Sequence, residues 1–371
     1  MNRILSAIYS LSAIAPIIAY APSALVSEPL KINLVARDRF TVADNVSTPQ
    51  DFYSIGKRKL EQNDYQGAIA EFDRVLAADP NDIDSLYSRA QANHYLQNFH
   101  AVISDLDRVI KLDSQEVNAY VNRGASYFKL REYQQAIADS NRAIRLNPQE
   151  VNAYLNRGNS YAKLGEYDKA ISDYDRAIHL DSNNADAYVN RGKSYNDLGE
   201  HEQAITDFDE AIHLDSNNTD AYVSRGLSYD DLGKYEQAIT DFDEAIRLDP
   251  NNALAYYNRG NSYVDLTRYR RAIVDYSRAI RLDPHDVSVY YNRGLSYAAL
   301  GEYQKAIADN DLVIRLNPNY ALAHYNRGTS YKNIGNNSLA IKDFEQAAEL
   351  YRQQGNTEWY QYAIDQIEQL R

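Results

Sequence analysis

The chain of 371 residues contains no cysteine, which excludes disulfides, thiolate metal sites and a cysteine nucleophile. It has one tryptophan and only seven scattered histidines. Excess positive charge is missing too. The 39 basic and 52 acidic residues give a formal net charge of −13, the opposite of the basic footprint that nucleic-acid binding needs. No HExxH, P-loop, nucleophile elbow or Gly-rich dinucleotide loop is present. The expectation is a chain that is not an enzyme, uses no cofactor and does not bind nucleic acid. What the chain has in excess is tyrosine, with 33 copies. Such an excess suggests one structural position that recurs many times.

Residues 1–27 have the pattern of a secretory signal peptide. Arg3 gives a short basic start, and Ile4 to Ala21 carry no charge. Small residues (Ala19, Ala21, Ser23 and Ala24) stand as candidate cleavage positions. An uncleaved signal anchor is the alternative, since such a stretch can just span a bilayer. Export to the periplasm is expected, either free or anchored at the membrane. Residues 28–48 lack periodicity and are expected to be a linker. The segment 1–48 carries +1, so the acidity belongs to residues 49–371.

From residue 49 a 34-residue step organises the chain. Asn-Arg-Gly recurs at 122–124, 156–158, 190–192, 258–260, 292–294 and 326–328, with Ser224-Arg225-Gly226 in the remaining place. Ala68, Ala136, Ala170, Ala204, Ala238, Ala272, Ala306 and Ala340 keep the same step, and Val102 fills the gap. Within each unit, apolar residues fall at helical spacing in two stretches. Gly165, in Leu164-Gly165-Glu166-Tyr167, can end the first stretch in a left-handed turn. Asn or Asp before the next unit suits an N-cap. One such helix pair cannot bury its apolar face alone, so stacking on neighbours must supply stability. Trp359, Ala363, Ile367 and Leu370 make an apolar stripe for a closing helix.

In repeat 6, Tyr222, Gly226, Tyr229, Ala238, Phe242, Ala245 and Pro250 stand at positions 4, 8, 11, 20, 24, 27 and 32. This pattern resembles the tetratricopeptide-repeat (TPR) superfamily. The resemblance implies an all-α, right-handed α-solenoid of nine helix pairs, at 49–82, 83–116, 117–150, 151–184, 185–218, 219–252, 253–286, 287–320 and 321–354. A C-terminal capping helix within 355–371 would complete it. Repeats 1 and 2 depart most: Lys59 and Asn93 replace the tyrosine, and Ala90 and Val102 replace Gly and Ala.

Two charges keep the same beat. Position 7 is Arg89, Arg123, Arg157, Arg191, Arg225, Arg259, Arg293 and Arg327, and position 23 is Asp105, Asp139, Asp173, Asp207, Asp241, Asp275, Asp309 and Asp343. Repeat 1 has Ile55 and Glu71 instead. A charge at a packing position needs a partner. An Arg–Asp ladder is expected, within a repeat or between neighbours, in preference to a row of arginines that binds a polyanion.

In TPR proteins the first helices line a concave groove, and that resemblance implies three zones. The first is an asparagine series: Asn122, Asn156, Asn190, Asn258, Asn292 and Asn326. It resembles the asparagine ladder of the O-GlcNAc transferase superhelix, where amides grip an extended peptide backbone; a carboxamide both donates and accepts. On this reading the side chains face solvent in the free protein. The alternative is that they are solvated helix residues or local caps. Lys129 and Lys163, with Lys193 beside them, form a basic zone. Asp186, Asp197, Asp220, Asp230, Asp231 and Asp265 form an acidic zone, and Tyr257, Tyr291 and Tyr325 an aromatic one. The expected partner is a protein or extended peptide segment. The chain also resembles bacterial periplasmic TPR assembly factors, which implies a role in assembly or maturation of other proteins. An alternative is handling of a divalent metal by the acidic zone, although no metal ligand set stands out.

Overall fold

The structure, a computed structural model, describes residues 48–371. The targeting segment read over 1–27, and the linker up to residue 47, lie outside the described residues. Thr48 belongs to the fold rather than to a linker. Its hydroxyl accepts from the Asp51 amide at 3.2 Å, and the Asp51 carboxylate accepts from the Thr48 amide at 3.1 Å. This reciprocal pair satisfies amides that a helix start leaves open.

The described residues form nineteen α-helices and no strand. They divide into two compact units, one ending at Leu164 and the other running from Gly165 to Arg371. The first holds α1 (Pro49–Glu61), α2 (Tyr65–Ala78), α3 (Ile83–Tyr95), α4 (Phe99–Leu112), α5 (Val117–Lys129), α6 (Tyr133–Leu146) and α7 (Val151–Lys163). The second begins with α8 (Tyr167–Leu180), α9 (Ala185–Asp197), α10 (His201–Leu214), α11 (Thr219–Asp231), α12 (Tyr235–Leu248) and α13 (Ala253–Asp265). It continues with α14 (Tyr269–Leu282), α15 (Val287–Ala299), α16 (Tyr303–Leu316), α17 (Ala321–Asn333), α18 (Asn337–Gln353) and α19 (Thr357–Leu370). The result is an all-α solenoid of helix pairs. No helix among the described residues is long and apolar enough to cross a membrane.

Local chemistry sets these boundaries. Asn184, Asn218 and Asn252 precede α9, α11 and α13, and each accepts from the amide three residues on. First helices end in a residue of positive φ: Gly165, Gly199 and Gly233 lie between 70° and 78°. Where glycine is missing the turn persists, and Thr267 is held at φ 59°. Within each unit, successive first helices such as α9 and α11, or α13 and α15, touch one another, and no comparable contact joins successive second helices. The first helices therefore line the inner side of each stack.

The recurring small residues sit at the tightest approaches. Ala170, Ala204, Ala238 and Ala306 are fully buried, as is Val102 in the exceptional repeat. A Cβ added to Gly192, Gly226 or Gly260 would fall 2.8, 2.7 or 2.7 Å from the ring of Phe208, Phe242 or Tyr276. At Gly124 the residue in the ring's place is Ser140, and the nearest atom, Asp139 Cβ, is 3.3 Å away. At the C-terminus α19 packs on α18. Ala363 and Ile367 are buried there, with Trp359 and Leu370 alongside Phe344, Ala347 and Tyr351.

These distances separate two otherwise identical substitutions. Gly226→Ala must displace a buried phenylalanine and should cost about 1–3 kcal/mol. Gly124→Ala gains helix propensity of about 1 kcal/mol and meets only a mild contact, so it should be neutral or stabilising. Chemical denaturation of both variants checks this; equal losses would show that the ring does not set the helix spacing.

Candidate functional site

The arginine series is a three-way clamp. In repeats 2, 3 and 5 to 9 the guanidinium forks onto the position-23 aspartate of its own repeat. Nε–Oδ2 distances are 2.8–3.0 Å and the second prong is 2.5–2.7 Å. The remaining nitrogen reaches back sixteen residues to the second helix of the preceding repeat. Asp73, Asp107, Asp175, Asp209, Asp243 and Asp311 accept it at 2.5–2.6 Å. Asn141 and Ser277 replace that aspartate for Arg157 and Arg293. The ladder thus runs both within and between repeats. The tyrosine three residues earlier roofs the cation: Arg191, Arg225 and Arg293 lie 5.6 Å from the rings of Tyr188, Tyr222 and Tyr290.

Burial makes this network matter. The Asp207 and Asp241 side chains are 5% exposed, against 19% and 18% for Arg191 and Arg225. The Asp207 hydrogen bond, working against burial, holds the Arg191 guanidinium above the ordinary arginine range. Burial pushes the Asp207 carboxyl up, and the forked arginine pulls it back. Because arginine does not deprotonate and matches both carboxylate oxygens, we take these pairs as ionised. Repeat 1 compensates for its changed residues. Buried Glu71 is met by Lys59 at 2.7 Å and Arg74 at 3.1 Å, so the lysine that replaces a tyrosine is the partner of the glutamate that replaces an aspartate.

On the inner face of the second unit the asparagines are already engaged. Asn292 Nδ2 donates to the Tyr257 hydroxyl and to Asn261 Oδ1, both at 3.1 Å. Asn326 Nδ2 donates to the Tyr291 hydroxyl at 3.0 Å. Tyr276 fixes Asn261 in turn, donating at 2.7 Å. Asn258 has Val223 in place of the tyrosine; it is buried, and its Nδ2 has no acceptor. Asn190 is half-buried on α9. In the first unit Asn156 Nδ2 donates to the Val121 carbonyl at 3.1 Å, and Asn122 is half-buried on α5. The expectation of solvent-facing amides is therefore corrected. At Asn156, Asn292 and Asn326 position 6 packs against position 5 of the preceding repeat and the donor is spent there.

The other zones separate. Tyr257 and Tyr291 join the asparagine pairs. Tyr325 does not: it is 6% exposed, between Phe344 and Trp359, with centroids at 5.3 and 5.4 Å. It seals α19 and offers no surface to a peptide. Lys129 is half-buried, and burial pushes its amine down, whereas Lys163 is exposed. Lys193 is bound to Asp220 at 3.2 Å, which removes both from their zones. Asp186 and Asp197 are exposed on α9. Asp230, Asp231 and Asp265 stay near enough to interact. Burial, with Asp265 and Asp231 adding to it, pushes Asp230 up to about 6 against the Ser262 hydroxyl, which donates to it at 2.5 Å. Asp231 faces His201 at 3.8 Å. Among the described residues no three acidic or histidine side chains are grouped to hold a metal ion.

Removing one partner of a buried pair leaves the other charge stranded. Arg225→Ala should cost about 3–5 kcal/mol. A double-mutant cycle with Asp241→Ala should return a coupling of at least about 1 kcal/mol. Coupling near zero would mean that the clamp does not hold the repeats together.

The comparisons with known proteins agree with this geometry. Residues 127–165, 158–199, 226–266 and 260–301 match the family described as TPR repeat. Residues 185–218, 287–320 and 321–354 match tetratricopeptide repeat families. Residues 61–139 match the family of anaphase-promoting complex, cyclosome, subunit 3. No curated protein matches. Among solved structures, MamA is similar at 28% identity and TM-score 0.44, over 47% of this chain and 95% of that one. YrrB, described as a TPR protein with an unusual peptide-binding site, is similar at 26% and 0.46, over 52% and 97%. The APC/C hetero-tetramer Cut9-Hcn1 shares the fold at 16% and 0.52, over 87% and 76%. The repeat matches take in more than half of the chain, and the chain belongs to the tetratricopeptide-repeat family.

Proposed function

We propose that this chain is an exported, noncatalytic scaffold that holds an extended polypeptide along the inner face of its first helices and assists assembly or maturation of its clients. The observation that carries the reading is the pair of linked amides, Asn292 and Asn326. Their side-chain nitrogens are tied to Tyr257 and Tyr291, while among the described residues their side-chain oxygens Oδ1 take no hydrogen from the protein. Fixed acceptors one repeat apart suit the N–H groups of an extended chain, and the cost of orienting them is already met by the tyrosines. Asp230, Asp231 and Asp265 on the same face favour a client that carries positive charge. Export rests on the uncharged stretch after Arg3. Membrane proximity would come through a client or an uncleaved anchor.

A permanently unfolded, fluorescently labelled protein serves as probe. Wild type should bind it, and Asn292→Ala with Asn326→Ala should weaken binding by about 1–3 kcal/mol, roughly fivefold to over a hundredfold. The circular dichroism spectrum should stay unchanged. Full-strength binding by a folded double variant would sink the peptide reading. For export, alkaline phosphatase fused after residue 48 should be active in a bacterial host; an inactive, stable fusion would refute it.

A further inference from the structure

The outer face of the second unit reverses its charge between repeats without changing register. On α10 the residues at i, i+4, i+8 and i+11 are Glu202, Thr206, Glu210 and His213, and the helix holds no lysine or arginine. The same positions on α14 are Arg270, Val274, Arg278 and Arg281, with Arg271 alongside. The one acid of α14, Asp275, is buried against Arg259. Each stripe is about 16 Å long at the α-helical rise.

The basic stripe is not consumed by the fold. Arg271 and Arg278 rest over Tyr263 and Tyr256, and half-buried Arg278 also donates to the Pro250 carbonyl at 3.3 Å, which fixes their heads without neutralising them. Arg270 and Arg281 are exposed and touch no acidic side chain among the described residues. Between them Val274 is 66% exposed, more than any other large apolar side chain described. An apolar residue ringed by unpaired like charges, on a chain that is otherwise strongly acidic, marks an interaction surface. Glu202 and Glu210 are likewise free of cations on their own helix.

We infer that α14 of one copy docks on α10 of a second copy. The spacing argues for this partner: both stripes derive from the same 34-residue frame, so arginines and glutamates repeat at equal intervals. The two patches differ, so the contact is heterologous, and copies add head to tail rather than closing as a two-fold dimer. Exposed ion pairs contribute little each, so the association is weak and salt-sensitive. The contact uses the outer face and leaves the inner face open to a client.

Sedimentation velocity on the full chain tests this at about 50 and about 500 mM NaCl, where charge screening differs several-fold in range. At low salt, concentration-dependent species larger than a dimer are expected, with the apparent Kd rising at least about tenfold at high salt. Arg270→Glu with Arg281→Glu should abolish assembly, as should Glu202→Arg with Glu210→Arg. Mixing the two variants should restore association, because the unaltered Glu202 and Glu210 of one then meet the unaltered Arg270 and Arg278 of the other. A wild type that stays monomeric at low salt overturns the inference. So does assembly that the arginine variant leaves intact, or a mixture of folded variants that does not associate. A monomer that instead sediments with phosphatidylglycerol vesicles would assign the stripe to a membrane surface and overturn it as well.

Discussion

The forked arginine holds the repeats to one another. Helix pairs could pack through Ala and aromatic side chains alone, but apolar packing tolerates sliding by a residue, and a guanidinium with three directed contacts does not. Arg225 ties its own first helix to Asp241 on the second and to Asp209 on the helix before. Each clamp therefore fixes the angle inside one repeat and the angle to the next. Lysine in that place would supply the charge but not the fork. The tyrosines above the cations add apolar cover that keeps water from competing.

Much of this is legible in the amino-acid sequence. The 34-residue step, the Gly and Ala positions and the turn at Gly165 come from residue types whose physics allows few alternatives. The partner of each arginine is legible only in part. The aspartate at position 23 shares its beat without exception. The aspartate sixteen residues upstream breaks the pattern at Asn141 and Ser277, although its recurrence elsewhere is a usable signal. The inner face is harder. An asparagine at position 6 looks the same in sequence whether it faces solvent or the tyrosine of the preceding repeat. Only the distance between adjacent first helices decides that. Tyr325 departs from its expected place for a similar reason, since its register resembles that of Tyr257 and Tyr291. At the end of the array, however, Trp359 covers it.

The Asn–Tyr pairs shift the chemistry expected of the inner face. A loose carboxamide offers a donor and an acceptor and loses entropy when either is used. Tied by its nitrogen, it becomes an oriented acceptor whose oxygen keeps both lone pairs. Asn258 departs from its neighbours. With Val223 beneath it, its nitrogen is buried and unpaired, so the inner surface is not uniform at that repeat.

The clamp also bears on how such a chain can lengthen or shorten. Excising one internal repeat of 34 residues brings the next arginine onto the side chain that an earlier repeat offers at the same place, an aspartate except at Asn141 and Ser277, and leaves its position-23 pair intact. Duplication is equally silent. A shorter cut between repeats leaves the buried pair of each repeat in place but shifts the arginine off the exposed aspartate of the repeat before, as Arg225 would be from Asp209. Among the described residues repeat 1 is the one with no repeat before it, and there Ile55 stands where the arginine would be, with Glu71 answered locally by Lys59. Every later copy keeps the arginine at position 7 and the aspartate at position 23 while free to diverge on its faces.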